Sequence, residues 1–166
     1  MLIFILGYMG SGKTVTGRKI AGAFQYRFLD MDEMFELSGG YTVKDYFEKY
    51  GEESFRMKER EILISHLSDK DTVIATGGGT PCYEDNMELM NLHGITVFLD
   101  TPVEIILHRL SGKMHERPLL DRIPREKLPG FIREHLASRR IYYERARLMI
   151  TGDEDLAQIL KAHAGK

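Results

Sequence analysis

A short apolar run that leads directly into a glycine-rich loop constrains this chain more than any other feature. Residues 2–6 read LIFIL and residues 7–14 read GYMGSGKT, which fits the phosphate-binding pattern G-x-x-x-x-G-K-[ST]. A helical pattern follows, so strand, loop and helix come in the order that this motif requires. A glycine-rich turn that matched the pattern by chance would not need to lie between a strand and a helix. The sequence therefore predicts a site for a nucleoside triphosphate.

The chemistry of this loop assigns a task to each part of it. Its glycines let successive backbone N–H groups face one anion, and the positive end of the following helix lies at the same point. The ammonium of Lys13 can reach the β- and γ-phosphates, and the hydroxyl of Thr14 can bind Mg²⁺. The predicted nucleotide-binding residues of the loop are Gly10, Ser11, Gly12, Lys13 and Thr14.

The composition of the chain limits the number of domains, the kinds of partner and the compartment that we expect. At 166 residues the chain is predicted to form one domain, residues 1–166, and 43% apolar residues are enough for a core. A net charge of −2 argues against broad binding to nucleic acid or to an anionic membrane, and no stretch approaches ~20 apolar residues. Cys82 is the only cysteine, which excludes an intramolecular disulfide and favours a reducing compartment. With no secretory signal visible, we expect a cytoplasmic monomer.

Short apolar runs alternate with helical patterns, which indicates an α/β fold with a mainly parallel, five-stranded sheet flanked by helices. The runs lie at residues 2–6, 26–30, 72–76, 95–99 and 148–150. Gly51 is expected to interrupt a helical stretch, and Thr101 to Glu104 is expected to form a capping box with Pro102 as the first helical residue. A long basic helix is predicted from Pro129 to about Arg147. The basic, proline-containing segment before that helix is predicted to be a mobile loop.

Ligand chemistry beside a parallel sheet is expected at the carboxyl ends of its strands. Asp30 and Asp32 follow the second strand, where one carboxylate could hold Mg²⁺ through water and another could orient an acceptor hydroxyl; the alternative is an ordinary helix cap. Asp100 follows the fourth strand, where a structural role at a helix start is favoured over a metal site. The third strand ends in Gly77, Gly78 and Gly79, a run that suits close approach to a ligand.

Three sets of arginines could serve an anionic substrate. Arg56 lies one helical turn before Glu59, so it is either an ordinary ion-pair partner or a carboxylate clamp that Glu59 orients. Arg117 lies in the predicted mobile loop and could close over the transferring phosphoryl group. Arg139 and Arg140 lie on the basic helix, where spacing alone favours solvated side chains.

Taken in order, these residues resemble the shikimate kinase family over nearly the whole chain. Each motif is weak alone, but the ordered set is specific. The matching pieces are residues 7–14 with Gly17 and Arg18, residues 28–32, Gly51 and Glu52 with Phe55, Arg56 and Glu59, residues 77–79, residues 117–120, and Arg139 with Tyr143 and Ala146.

The resemblance implies ATP-dependent phosphorylation of the 3-hydroxyl of shikimate, on the route to chorismate and the aromatic amino acids. It implies the P-loop fold of the nucleoside-monophosphate kinases, with a substrate-binding subdomain near residues 31–60 and a mobile lid near 111–125. By position, it assigns Mg²⁺ to Thr14 and Asp30, and catalysis to Lys13, Asp32 and Arg117. ATP is the co-substrate, bound by the loop, by Arg117 and by Arg109, which aligns with a residue that stacks on adenine. It assigns shikimate to Asp32, Arg56, Gly78, Gly79 and Arg139.

The chain departs from the family pattern in one place. The pattern has an arginine four residues before a tyrosine, and that tyrosine four residues before an alanine. Here Tyr143 lies four residues after Arg139 but only three before Ala146, so one residue is missing and the choice between Arg139 and Arg140 stays open. Tyr8 and Met9, inside the loop, are interpreted as tolerated variation.

Two other functions remain as alternatives. A kinase of the same fold could act on gluconate or a nucleoside monophosphate, but it would need an acceptor site without two arginines. A non-catalytic nucleotide-binding module would be expected to lack Lys13, Thr14, Arg117 or the pair Asp30 and Asp32, all of which are present.

Overall fold

The structure is a computed structural model that describes residues 1–111, 120, 123–151 and 156–164. Its strands are β1 (Leu2–Leu6), β2 (Arg27–Asp30), β3 (Thr72–Ala75), β4 (Ile95–Leu99) and β5 (Leu148–Ile150). Its helices are α1 (Lys13–Phe24), α2 (Met31–Gly39), α3 (Val43–Ser65), α4 (Asn86–His93), α5 (Val103–Leu110), α6 (Leu128–Tyr143) and α7 (Leu156–Ala164). Short 3₁₀ turns cover Thr80–Cys82 and Arg125–Lys127.

The central strand of the sheet is β1. The strands are ordered β2-β3-β1-β4-β5, and all neighbouring pairs are parallel. Parallel strands that are covered on both faces read as continuous apolar runs, and every residue of β1 is buried. The predicted α/β fold with a five-stranded parallel sheet flanked by helices is confirmed.

Alternate residues of β1 serve two hydrophobic clusters, because side chains of a strand point to opposite faces. Ile3 and Ile5 pack with Ile20 of α1 and Leu160 of α7. Leu2, Phe4 and Leu6 pack on the other face with residues of α2, α3 and α4, namely Met31, Leu63, Met87 and Met90. This sandwich fixes the carboxyl end of β1, where the glycine-rich loop begins.

Helices α2 and α3 pack against each other through a small aromatic cluster. Phe35 contacts Tyr46 and Phe55 with ring centroids 5.0 and 4.9 Å apart. The helical path of α3 is interrupted at Gly51, whose φ of 81° and ψ of 172° lie outside the helical region. The predicted interruption is thus confirmed, and it lets the second part of α3 carry Arg56 along the carboxyl edge of the sheet.

The predicted capping box at the start of α5 is wrong. The helix begins at Val103, and Pro102 precedes its first turn as the cap residue without a side-chain hydrogen bond. The hydroxyl of Thr101 donates to the carbonyl oxygen of Ser11 at 3.0 Å instead. A tertiary contact that ties the end of β4 to the glycine-rich loop has taken the place of the local cap.

Two further expectations concern the second half of the chain. Helix α6 ends at Tyr143, four residues before the predicted end at Arg147, because a turn precedes β5. Most of the predicted lid, including Arg117, lies outside the described residues. Within the described ranges, no helix combines the length and apolar character needed to cross a membrane.

Candidate active site

The glycine-rich loop between β1 and α1 has a backbone that only glycine adopts easily. Gly7, Gly10 and Gly12 have φ values of 148°, 79° and 99°. A Cβ on Gly7 would also lie 2.7 Å from Oγ of Ser11. The Nζ of Lys13 donates to the carbonyl oxygens of Gly7 and Tyr8 at 2.9 and 3.0 Å, so its side chain folds back over the loop.

Two other predicted nucleotide-binding residues border this loop. Ser11 is buried, and its Oγ has no hydrogen-bond partner among the described residues. Arg109, which is exposed on α5, donates from Nη1 to the carbonyl oxygen of Gly10 at 3.0 Å. The predicted residues Gly10, Ser11, Gly12, Lys13, Thr14 and Arg109 are therefore brought together, while Arg117 lies outside the described residues.

The predicted metal residues also meet. Oγ1 of Thr14 donates to Oδ2 of Asp30 at 2.7 Å, while Oδ1 of Asp30 accepts the backbone N–H of Asp32 at 3.0 Å. Asp30 therefore caps α2, which confirms the helix-cap interpretation, and also accepts a hydrogen bond from the Thr14 hydroxyl; its role in holding Mg²⁺ stays a prediction. In the described ranges, no three His, Cys, Asp or Glu side chains form a metal cluster. The pair Thr14 and Asp30 instead suits Mg²⁺, which keeps several waters and binds substrate phosphates together with few protein oxygens.

A pocket opens beside the glycine-rich loop, with a volume of about 500 Å³ that includes its open mouth. It combines an apolar wall with acidic and basic groups. Its lining residues are Met9, Asp32, Val43, Phe47, Phe55, Arg56, Glu59, Gly77, Gly78, Gly79 and Arg139. The predicted substrate residues Asp32, Arg56, Gly78, Gly79 and Arg139 are all among them, although they come from four separate parts of the chain.

Arg56 is held rigidly inside this pocket. Its Nη1 donates to Oε2 of Glu59 at 2.7 Å, and its Nη2 lies 3.4 Å from Oε1 of Glu52. Burial lowers the pKa of Arg56, but these carboxylates more than compensate, so its pKa stays above the ordinary value and it remains a cation. Burial raises the pKa of Glu59, which Arg56 and the Thr80 hydroxyl, donating at 2.6 Å, oppose. Arg56 is thus the ion-pair partner of Glu59 and also lines the pocket, while its role as a carboxylate clamp stays a prediction.

The glycines after β3 are required by the side chains that press against them. A Cβ on Gly77 would lie 2.0 Å from Oε1 of Glu59, and one on Gly79 would lie 2.4 Å from the guanidinium carbon of Arg56. A Cβ on Gly78 would lie 3.3 Å from Nη1 of Arg139. The absence of side chains at these positions brings both arginines close to the backbone at the end of β3.

The structure distinguishes Arg139 from Arg140. Arg139 lines the pocket with only 8% of its surface exposed, so the solvated interpretation is wrong for this residue. Arg140 points elsewhere, because its Nη1 and Nη2 donate to the two oxygens of Asp100 at 2.7 Å each and its Nε donates to Glu144 at 2.6 Å. The same bidentate pair gives Asp100 a structural role, as the sequence favoured, but through Arg140 rather than through the start of α5.

Several residues in and beside the pocket carry no local sequence signal. Met9, Val43 and Phe47 line the cavity, but apolar residues at such positions are ordinary core residues in a sequence. Tyr8 is buried, and its hydroxyl is hydrogen-bonded to Nδ1 of His135 at 2.9 Å. Tyr143 is also buried and donates to the carbonyl oxygen of Gly78 at 2.5 Å. The sequence pointed to Tyr143 only through its place in the family motif.

A phosphate-binding loop, a hydroxyl–carboxylate pair suited to Mg²⁺ and an adjacent pocket with two arginines together define a P-loop kinase of a small acidic acceptor. The model of the family "Shikimate kinase" matches residues 9–163 of the chain. The shikimate kinase of Phocaeicola vulgatus is 41% identical over 152 residues, which cover 92% of this chain and 87% of that protein. The chain belongs to the shikimate kinase family.

Solved structures agree with the fold. The shikimate kinase of Bacteroides thetaiotaomicron superposes with a TM-score of 0.90 at 34% identity, over 100% of this chain and 99% of that one. The shikimate kinase of Acinetobacter baumannii in complex with shikimate gives a TM-score of 0.89 at 38% identity, over 99% and 93% of the two chains. The predicted P-loop kinase fold is confirmed.

Proposed function

We propose that this chain transfers the γ-phosphoryl group of ATP to the 3-hydroxyl of shikimate and so forms shikimate 3-phosphate, on the route to chorismate and the aromatic amino acids. The observation that carries this proposal is the placement of Arg56 and Arg139 in one pocket beside the phosphate-binding loop. Membership of the shikimate kinase family supports the same acceptor.

The donor side is formed by the loop and the start of α1. Backbone N–H groups of the loop, including those of Gly10 and Gly12, bind the phosphates, and Lys13 neutralises charge on the β- and γ-phosphates. Thr14 would be a ligand of Mg²⁺, since its proton is donated to Asp30 and the lone pairs of its oxygen remain available. Asp30 would hold the ion through water, and Mg²⁺ bound there would supply charge neutralisation at the phosphoryl oxygens.

The acceptor side matches shikimate, a small triol with one carboxylate. The guanidinium groups of Arg56 and Arg139 bind that carboxylate, because planar guanidinium groups pair with carboxylates bidentately. Asp32 accepts hydrogen bonds from the hydroxyls and orients the attacking one, with Gly78 and Gly79 against the ring. Phosphoryl transfer has a loose transition state, so positioning and charge neutralisation matter more than a strong base at Asp32.

The remaining assignments rest on position in the chain. Residues 31–60 act as the substrate-binding subdomain and 111–125 as the lid of the single domain, with Arg117 reaching the ATP phosphates and Arg109 stacking on adenine. We expect Arg117→Ala to lower kcat more than it raises KM for shikimate; an unchanged kcat would contradict the lid assignment. We expect a monomer in the cytoplasm.

An acceptor panel tests the proposal. The purified chain is incubated with ATP, Mg²⁺ and either shikimate, gluconate or AMP, and ADP formation is followed. We expect turnover with shikimate and background rates with the others, and omission of Mg²⁺ should abolish it. A rate with gluconate or AMP alone would identify another small-metabolite kinase, and ATP binding without transfer to any acceptor would identify a nucleotide-binding module.

A further inference from the structure

The two arginines of the acceptor pocket are held by different means. Arg56 is fixed by the carboxylates of Glu52 and Glu59. Arg139 is equally buried, with 8% of its surface exposed, but no carboxylate within the described part of the chain pairs with it. Something other than an ion pair must therefore orient this guanidinium.

Two tyrosines contact this guanidinium: the side chain of Tyr143 interacts with it, and the face of Tyr8 helps to orient it. The guanidinium carbon of Arg139 lies 5.8 Å from the centroid of the Tyr8 ring, within the range of a cation–π contact. Tyr8 is 1% exposed, and Nδ1 of His135 lies 2.9 Å from its hydroxyl, with the imidazole edge-on to the phenol at 5.6 Å between centroids. His135 precedes Arg139 by four residues on α6, so both side chains lie on one face of that helix.

The hydroxyl of Tyr8 is thus bonded to His135, while the ring of Tyr8 faces Arg139. An aromatic face orients a guanidinium without neutralising it. A carboxylate in the same place would compete with the carboxylate of the acceptor for the same N–H donors. Arg139 therefore keeps its donors directed into the pocket.

The charge of His135 is consistent with this arrangement. Burial, together with the positive charge of Arg139, lowers the pKa of His135 to about 4. The imidazole is therefore neutral near pH 7 and does not repel the guanidinium. The other charged groups that act on it are Arg56 and Glu52 of α3.

We propose that Tyr8 and His135 are a positioning pair for Arg139, and that their hydrogen bond sets the affinity for the carboxylated acceptor. This inference rests on the proposed function, in which Arg139 binds the acceptor carboxylate. Neither residue lines the pocket, so both act through Arg139. Tyr8 thereby joins the phosphate-binding loop to the acceptor clamp.

Three variants test the pair. Tyr8→Phe keeps the ring but removes the hydroxyl, and His135→Leu removes the partner nitrogen. His135→Asn restores a polar atom near the position of Nδ1. We expect KM for shikimate to rise about fivefold in Tyr8→Phe and His135→Leu, which corresponds to one lost hydrogen bond, with kcat and KM for ATP changed by less than about twofold. His135→Asn should recover most of the affinity.

The double variant Tyr8→Phe, His135→Leu should raise KM for shikimate no more than either single substitution does, because the second substitution has no hydrogen bond left to break. Tyr83→Phe is the matched control, since it removes a tyrosine hydroxyl that bonds to Glu53 on the surface. It should leave all constants unchanged. If Tyr8→Phe does not fold, comparing KM for shikimate between His135→Asn and His135→Leu tests the proposal instead.

Two results would contradict the proposal that Tyr8 and His135 position Arg139. One is an unchanged KM for shikimate in the Phe or Leu variant; if Tyr8→Phe does not fold, the overturning result is equal KM values in His135→Asn and His135→Leu. The other is an equal rise of KM for ATP and for shikimate, which would show a general loosening of the loop. Failure of the wild-type chain to phosphorylate shikimate would instead refute the proposed function, so the two failures can be told apart.

Discussion

A single methyl group added at Gly79 tests the geometry of the acceptor pocket. In Gly79→Ala, the new Cβ would lie 2.4 Å from the guanidinium carbon and from Nη2 of Arg56. Carbon atoms in contact are normally about 3.5–4.0 Å apart, so the guanidinium must move by roughly 1 Å. Arg56 cannot move at low cost, because it is buried and its Nη1 is bonded to Glu59 at 2.7 Å.

The size of the effect follows from the bonds that this shift disturbs. One hydrogen bond to a charged group contributes about 1.5–3 kcal/mol, so losing one between Arg56 and the acceptor carboxylate should raise KM for shikimate roughly ten- to hundredfold. Crowding of the buried site should also cost about 1–3 kcal/mol of stability.

Initial rates at varied shikimate and saturating ATP, with a thermal melt of each variant, measure both effects. Gly22→Ala is the matched control, because a Cβ on Gly22 would meet no heavy atom within 4 Å and the residue lies in α1. This control should leave KM unchanged and should stabilise the chain by up to about 1 kcal/mol. An unchanged KM for shikimate in Gly79→Ala would show that Arg56 does not occupy this position in the working enzyme.

Three further predictions follow from the site. Lys13→Ala should abolish turnover while the melting temperature stays close to that of the wild type; substantial residual turnover would contradict its role at the phosphates. Arg139→Ala should raise KM for shikimate at least tenfold, whereas Arg140→Ala should mainly lower the melting temperature by breaking the bond to Asp100; the reverse pattern would assign the clamp to Arg140. The lowered pKa of His135 means that the unfolded chain binds more protons between about pH 6.5 and 4, so stability should fall as the pH drops through this window. The fall should be smaller in His135→Asn, as thermal melts at each pH can show.

The parts of the fold that the sequence predicts are those set by local patterns. The three inner strands β3, β1 and β4 are buried because parallel strands inside this sheet are covered on both faces, whereas the edge strands β2 and β5 are partly exposed. The loop after β1 needs its glycines where φ is positive. The break at Gly51 follows from the same freedom of glycine. Asp32, Arg56 and the glycines after β3 could be proposed because they follow strands or lie in a recognisable family motif.

The other features depend on contacts between residues that are far apart in the sequence, and local patterns do not predict such contacts. Arg139 and Arg140 are neighbours in the chain and project about 100° apart on α6, so the way the helix packs decides which one faces the pocket. The capping box fails because Thr101 bonds to Ser11, 90 residues away. The bond of Tyr8 to His135 spans 127 residues and leaves no trace in either local segment.

The most direct test of the central claim compares shikimate with its methyl ester, which lacks the negative charge, in the wild type and in Arg139→Ala. The ratio of kcat/KM for acid over ester is measured in each. We expect the wild type to prefer the acid about a hundredfold or more, since the ester leaves buried guanidinium groups unpaired, and Arg139→Ala to lose at least tenfold of that preference. Equal use of acid and ester by the wild type, or an unchanged preference in Arg139→Ala, would contradict the claim that this pocket holds the acceptor by its carboxylate.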